Sequence, residues 1–260
     1  MSRLKRKRIS EAVAQGKRED GRGLTDLRAI KIRKGIFEKA EGSAELYLGN
    51  TRVVVGVKVE KGEPFADTPN QAVLTVNSEF TPLASPTFEP GPPDETSIEL
   101  ARVVDRGIRS CEAINLEKYV IKPGKLVHVI FIDIWILNQD GNLIDASAMA
   151  SLAALMNTRM PRYSVEGDEL RFVEGNDPLE LRDFPVAVSV GKVGNEFLVD
   201  MTADEEDMME TRLTVTTNKD GHICALQKSG SEGLTLEEIK KAISLASEKG
   251  NEIRKLVMGS

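Results

Sequence analysis

Apolar and polar positions change rhythm several times along the 260-residue chain, and each change predicts an element. Met1 to Arg18 places Ile9, Ala12 and Val13 on one side at helical spacing, so a short helix is expected before the glycines of "EDGRGLTD" break it. From Ala29 to Glu60 the pattern turns to β: "IKIRKGIFEKA", "AELYLG" and "TRVVVGVKVE" are short runs rich in Ile and Val, separated by turns at Glu41-Gly42 and Gly49-Asn50. "QAVLTVNSEF" extends the sheet. "TPLASPTFEPGPPDE", with five prolines, cannot be an interior strand or helix and reads as a loop.

Asp94 to Ile114 carries the strongest helical pattern, with Asp94 as N-cap and acidic Glu95 in the first turn. Leu100, Val104, Gly107, Cys111 and Ile114 share one side, and Arg102, Arg106 and Arg109 the other. "KLVHVIFIDIWILNQDGN" runs apolar until Asp140-Gly141 turns the chain, and "LIDASAMASLAALMNTRM" follows as a helix of small residues suited to close packing on a sheet. Pro161 to Phe184 reads as a polar, turn-rich connection. "PVAVSVGKV", "EFLVDM", "RLTVTTN" and "HICALQKSG" then give a second set of strands, with a hairpin turn at Asn218 to Gly221. "TLEEIKKAISLASEKGNEIRKLV" is a long amphipathic helix opened by a Thr235/Glu238 capping box. Strands leading into helices in groups predict an α+β fold of split β-α-β halves.

Composition narrows the chemistry. At 40% hydrophobic and 29% charged residues the chain is globular, and its longest apolar run contains His128 and Asp133 and is too short to span a bilayer. With no apolar signal core at the N-terminus, a soluble intracellular protein is expected. Two cysteines and two histidines in separate segments offer no zinc ligand set and no basis for disulfides. A net charge of -6 argues against a protein that coats nucleic acid over its whole surface, while leaving room for local basic patches such as "RLKRKR" (Arg3 to Arg8), itself expected to be a solvated, partly frayed terminus. The arginine row on the Asp94 to Ile114 helix is, on residues alone, a solvated face laced with Glu99-Arg102 and Asp105-Arg109 pairs.

"VDMTADEEDMMETRLTV" concentrates six carboxylates: Asp200, Asp204, Glu205, Glu206, Asp207 and Glu210. A two-metal nuclease needs acids converging from several elements, whereas these lie in one inter-strand segment, so a solvated acidic turn is expected and no metal or cofactor. The common phosphate-loop, dinucleotide, esterase and zinc-protease signatures are absent.

Five stretches nevertheless resemble the RNase PH family of phosphate-dependent 3′-to-5′ exoribonucleases: "DGRGLTDLRAI", "AEGSAELYLGNTRVVVGV", "ELARVVDRGIR", "ILNQDGNLIDASAMASLAAL" and "FLVDMTADEEDMMETRLTV", in the family's order over roughly 200 residues. "EFTPLASPTFEPGPPDETSIELARVVDRGIR" is similar to the catalytically silent ring subunits of archaeal exosomes. The resemblance implies a ribosomal protein S5 domain 2-like core over residues 1–185 and a C-terminal α/β subdomain over 186–260.

It also implies where chemistry has been lost. Active members hold phosphate with a Gly-Ser-Arg or Gly-Thr-Arg triplet at a helix N-terminus; the matching positions here are Asn142, Leu143 and Ile144. Active members place a general-acid Asp twelve residues after the strand's first Asp; counting from Asp200 lands on Arg212, which cannot exchange protons at neutral pH. No catalytic residue is therefore expected. The resemblance assigns Arg102, Arg106 and Arg109 to single-stranded RNA, in a cytoplasmic hexameric ring of three heterodimers with a catalytic paralogue and RNA-binding cap subunits. A stand-alone phosphorolytic exoribonuclease and an RNA-binding scaffold without an enzymatic partner are the rival readings.

Overall fold

The computed structural model describes residues 3–166 and 169–260. Helix α1 (Arg3–Ala14) precedes strands β1 (Ile30–Lys34), β2 (Gly42–Leu48), β3 (Thr51–Gly62) and β4 (Val73–Phe80), and then helix α2 (Glu95–Ser110). Strands β5 (Val120–Lys122) and β6 (Leu126–Asn138) lead into α3 (Leu143–Met156). A hairpin of β7 (Arg159–Glu166) and β8 (Glu169–Pro178) comes next. The chain continues through β9 (Val186–Val193), β10 (Glu196–Val199), the one-turn α4 (Ala203–Glu206), β11 (Thr211–Thr217), β12 (Ile223–Gly230) and α5 (Leu236–Met258).

Two larger sheets enclose α2 and α3. The first runs β1-β2-β3-β6-β4, antiparallel except for β4, which lies parallel to β6; β5 pairs with the start of β6. The parallel pair is joined through α2, which gives the β-α-β unit that the alternation of strands and helices predicts. The second sheet runs β10-β9-β11-β12. Helix α3 contacts β2 and β3 on one side and β9 on the other, while α2 lies between β4 and β12. Small residues make this possible: Ala146, Ser147, Ala150, Ser151, Ala153 and Ala154 are all buried, so α3 is enclosed nearly all round.

In β6 the period of two sorts the faces. Ile130, Ile132, Ile134 and Ile136 are buried in the common core, and Trp135 points to the outer surface, 42% exposed. Helix α1 covers the far face of the second sheet, where Ile9 and Val13 pack with Val193, Leu198 and Met201. The basic stretch at its start is solvated as expected, with Leu4, Arg6, Lys7 and Arg8 exposed, while Lys5 is paired to Asp204 at 2.5 Å.

Two expectations need correction. Helix α2 stops at Ser110 because Glu112 turns left-handed at φ 49°, and Ile114 forms an isolated bridge with Leu181 instead of continuing the apolar stripe. The Pro161 to Phe184 connection contains most of the β7-β8 hairpin. No helix among the described residues is long and apolar enough to cross a membrane.

Candidate nucleic-acid interface

Helix α2 is held so that its arginines face outward. The Asp94 side chain accepts the Ser97 backbone N–H at 2.7 Å, fixing the first turn. Leu100, Val103, Val104, Gly107 and Ile108 are buried against the sheets, which leaves Arg102, Arg106 and Arg109 exposed on the opposite side.

Their surroundings differ. Arg109 is a paired group: it donates to both Asp105 carboxylate oxygens, at 2.7 and 3.2 Å, and to the Leu74 carbonyl. Among the described residues Arg106 donates to the neutral Gln227 side chain of β12, at 2.7 Å, and meets no carboxylate. Arg102 makes no hydrogen bond or ion pair with any described residue, and the expected Glu99-Arg102 pair does not form. The expectation of a face laced with pairs holds for Asp105-Arg109 alone.

Beside the start of α2 lies a cavity of about 120 Å³ lined by Phe80, Phe88, Leu143, Ile144, Glu206 and Arg212 among others. The turn that builds it is tightly specified. Gly141 has φ 78°, and a Cβ there would come within 2.4 Å of the Thr202 backbone carbon, so only glycine fits. Asn142, also left-handed at φ 56°, sends its side chain to Asp200 at 3.0 Å and its backbone N–H to Glu206 Oε1 at 3.0 Å. Leu143 and Ile144 then begin α3 with aliphatic side chains.

The six carboxylates are a solvated turn only in part. Asp200 is fully buried and accepts from Arg28 through its backbone N–H at 2.6 Å and its guanidinium at 2.7 Å, from Arg22 at 3.2 Å, and from Asn142. Burial alone would raise the Asp200 carboxyl, but hydrogen bonds from Arg28 outweigh it and hold the group below the usual carboxylate range. Glu205 is buried against Arg18, whose Nε donates at 2.8 Å while Nη2 bonds the second oxygen. Arg18 also donates to the Val199 and Asp200 carbonyls.

Glu206 faces the start of α3, Asp204 meets Lys5 at the rim, and Asp207 and Glu210 are exposed. Among the described residues no group of three or more His, Cys, Asp or Glu side chains is arranged to hold a metal ion. Arg18, Arg22 and Arg28 are the residues that sequence reasoning missed. The available signal was a run of arginines in a non-helical, glycine-broken segment, with a dense acidic segment elsewhere needing neutralisation.

Arg212 stands in the cavity wall. Its Nε donates to Ser229 Oγ at 3.2 Å and its Nη1 lies 3.7 Å from Glu206 Oε1. A guanidinium thus occupies the position where the resemblance places a proton donor.

Comparison with known proteins agrees with this geometry. The model of the 3' exoribonuclease family, domain 1, matches residues 26–161, and that of domain 2 matches residues 183–249. The chain belongs to the RNase PH family. Among RNase PH relatives, the exosome complex component Rrp42 of Pyrococcus furiosus is 51% identical over 254 residues, covering 97% of this chain and 92% of the relative. A solved Archaeoglobus fulgidus exosome with RNA bound to the active site contains a chain that superposes with a TM-score of 0.89 at 45% identity, covering 97% of both. An archaeal exosome core gives 0.86 at 42% identity, covering 98% of this chain and 96% of that one. The RNase PH fold of this chain is thus the α+β fold expected from its sequence.

Proposed function

We propose that this chain is a catalytically silent subunit of an exosome, a complex that degrades and processes RNA from the 3′ end, and that it acts through a catalytic partner of the same family. The observation that carries the reading is the cavity at the start of α3. Leu143 and Ile144 line it, Arg212 stands in its wall, and the Glu206 carboxylate faces the same space. An incoming phosphate would meet aliphatic groups and the like charge of Glu206 against the single cation Arg212, and a leaving 3′ oxygen would find a guanidinium where active members place a proton donor.

The same chain presents cations whose charge is not neutralised internally. Arg102 and Arg106 would pair with RNA phosphates and hold the 3′ end for the partner's chemistry, with Arg109 contributing less because Asp105 already binds it. Such contacts position a strand without reading its bases. Relatives named as an exosome component, and a similar chain in a solved exosome that holds RNA, support this reading. It includes a cytoplasmic ring of three heterodimers, cap subunits docked on that ring, and division of this chain at residues 185/186.

Incubating the purified chain with 3′-labelled RNA and inorganic phosphate, alone and with the catalytic partner, tests it. Nucleoside diphosphates should be released only by the mixture. Release by the chain alone would instead establish a stand-alone phosphorolytic exoribonuclease.

A further inference from the structure

The two cysteines belong to different halves of the chain, Cys111 to the segment matched by domain 1 of the family and Cys224 to that matched by domain 2. The fold brings them together. Cys111 ends α2 as its C-cap residue, and the last turns of that helix lie on the second sheet: Arg106 reaches Gln227 of β12 at 2.7 Å, and a Cβ on Gly107 would stand 3.3 Å from the Thr216 side chain of β11. Cys224 is the residue at which β12 slips register. Thr216 faces Ala225 and Thr217 faces Ile223, so Cys224 is skipped in the pairing with β11 and the strand bulges there. A bulge re-aims the side chain it carries, and the Cys111 and Cys224 thiols lie within hydrogen-bonding reach of each other. Both are free thiols, and both are partly exposed. Burial pushes the Cys111 thiol up, Cys224 and Asp183 add to this, and Arg254 opposes it.

We propose that Cys111 and Cys224 are a dithiol site that oxidises to an intramolecular disulfide, a covalent tie between the helix carrying Arg102 and Arg106 and the edge strand β12. The oxidant is a low-molecular-weight disulfide. Because the Cys111 thiol is held protonated, Cys224 attacks first: it gives its proton to solvent, bonds to one sulfur of the small disulfide and expels the other as a thiolate. Cys111 then gives up its proton, attacks the Cys224 sulfur and expels the second small thiolate. The two protein thiols lose two electrons and two protons, and the small disulfide takes up both to become two thiols. The inference rests on the placement of these two side chains and does not depend on the proposed role in RNA degradation.

Incubating the folded full-length chain with oxidised glutathione, followed by peptide mapping under non-reducing conditions, tests it. The wild type should lose both free thiols without keeping any glutathione, and should yield a cross-linked peptide joining Cys111 to Cys224. It should also melt at least about 5 °C higher after oxidation, because the tie closes a loop on the order of 100 residues. Cys111→Ser should stop at a mixed disulfide on Cys224 and show no such rise; if that variant does not fold, Cys111→Ala replaces it. Two mixed disulfides on the wild type, a bridge between two copies of the chain, two thiols that stay free, or an oxidised form that melts no higher than the reduced one overturns the proposal.

Discussion

Arg18, Arg22 and Arg28 lie inside the protein with their guanidinium groups on Asp200, Glu205 and neighbouring carbonyls, whereas Arg102, Arg106 and Arg109 stand on an exposed helical face. The two triads use the same side chain for opposite purposes. In the first, three positive charges surround two buried negative ones, and the product is a fixed loop geometry around Asp140 to Asn142 and the β10-α4 turn. In the second, little is neutralised: among the described residues Arg102 has no partner, Arg106 leans on a neutral amide, and Arg109 alone has an acidic one. What an arginine does is decided by what faces it, which spacing along the chain does not reveal.

Breaking the buried triad should have the largest effect. Arg28→Ala leaves Asp200 buried with its main partner gone, and should cost about 3–5 kcal/mol of stability in urea unfolding. The sign of the accompanying pH effect follows from the depressed Asp200 carboxyl. Its stabilisation is present above the ordinary carboxylate range and lost as pH falls through the folded value, and this acid-side loss should shrink in Arg28→Ala.

Asp145 sharpens the contrast, because it is a buried carboxyl with no arginine on it. It accepts from the Ser189 N–H and hydroxyl, and burial pushes it up to about 6. The sign is the reverse of that at Asp200. Its stabilising contribution is present below the unfolded value and lost as pH rises through about 6, a swing of about 2–3 kcal/mol at most. Unfolding free energies from acid to neutral pH should show this slope in the wild type and not in Asp145→Asn, whatever the variant's absolute stability.

The exposed triad should respond in affinity and not in stability. Arg102→Ala and Arg106→Ala should each weaken RNA binding by the assembled complex about fivefold to tenfold, and Arg109→Ala about twofold, read by fluorescence anisotropy. Each should change unfolding free energy by less than about 0.5 kcal/mol. Equal losses at all three positions would erase the distinction drawn from Asp105 and Gln227.

Much of the fold was legible because it rests on local signals. The Asp94 cap, the Thr235/Glu238 capping box, the Asn218 to Gly221 turn and the apolar alternation of β6 are each written within a few residues. The β7-β8 hairpin was missed for a physical reason: residues 172–178 are exposed throughout, so no buried face imposes a period of two. The acidic segment was misread because its partners are remote. Arg18 and Arg28 reach Glu205 and Asp200 across separations of 187 and 172 residues, and only the tertiary fold brings them together. The arginine face of α2 was visible as a pattern, but which of its members is neutralised depends on Leu74, Asp105 and Gln227, two of which lie on other elements.

The most direct test of the central claim is the salt dependence of RNA binding by the assembled complex, measured with wild-type chain and with Arg102→Ala/Arg106→Ala. If these side chains neutralise phosphates, the double variant should bind more weakly and its slope of log affinity against log salt should flatten by about 1.4, roughly 0.7 for each arginine removed. An unchanged slope in an intact complex would contradict the account.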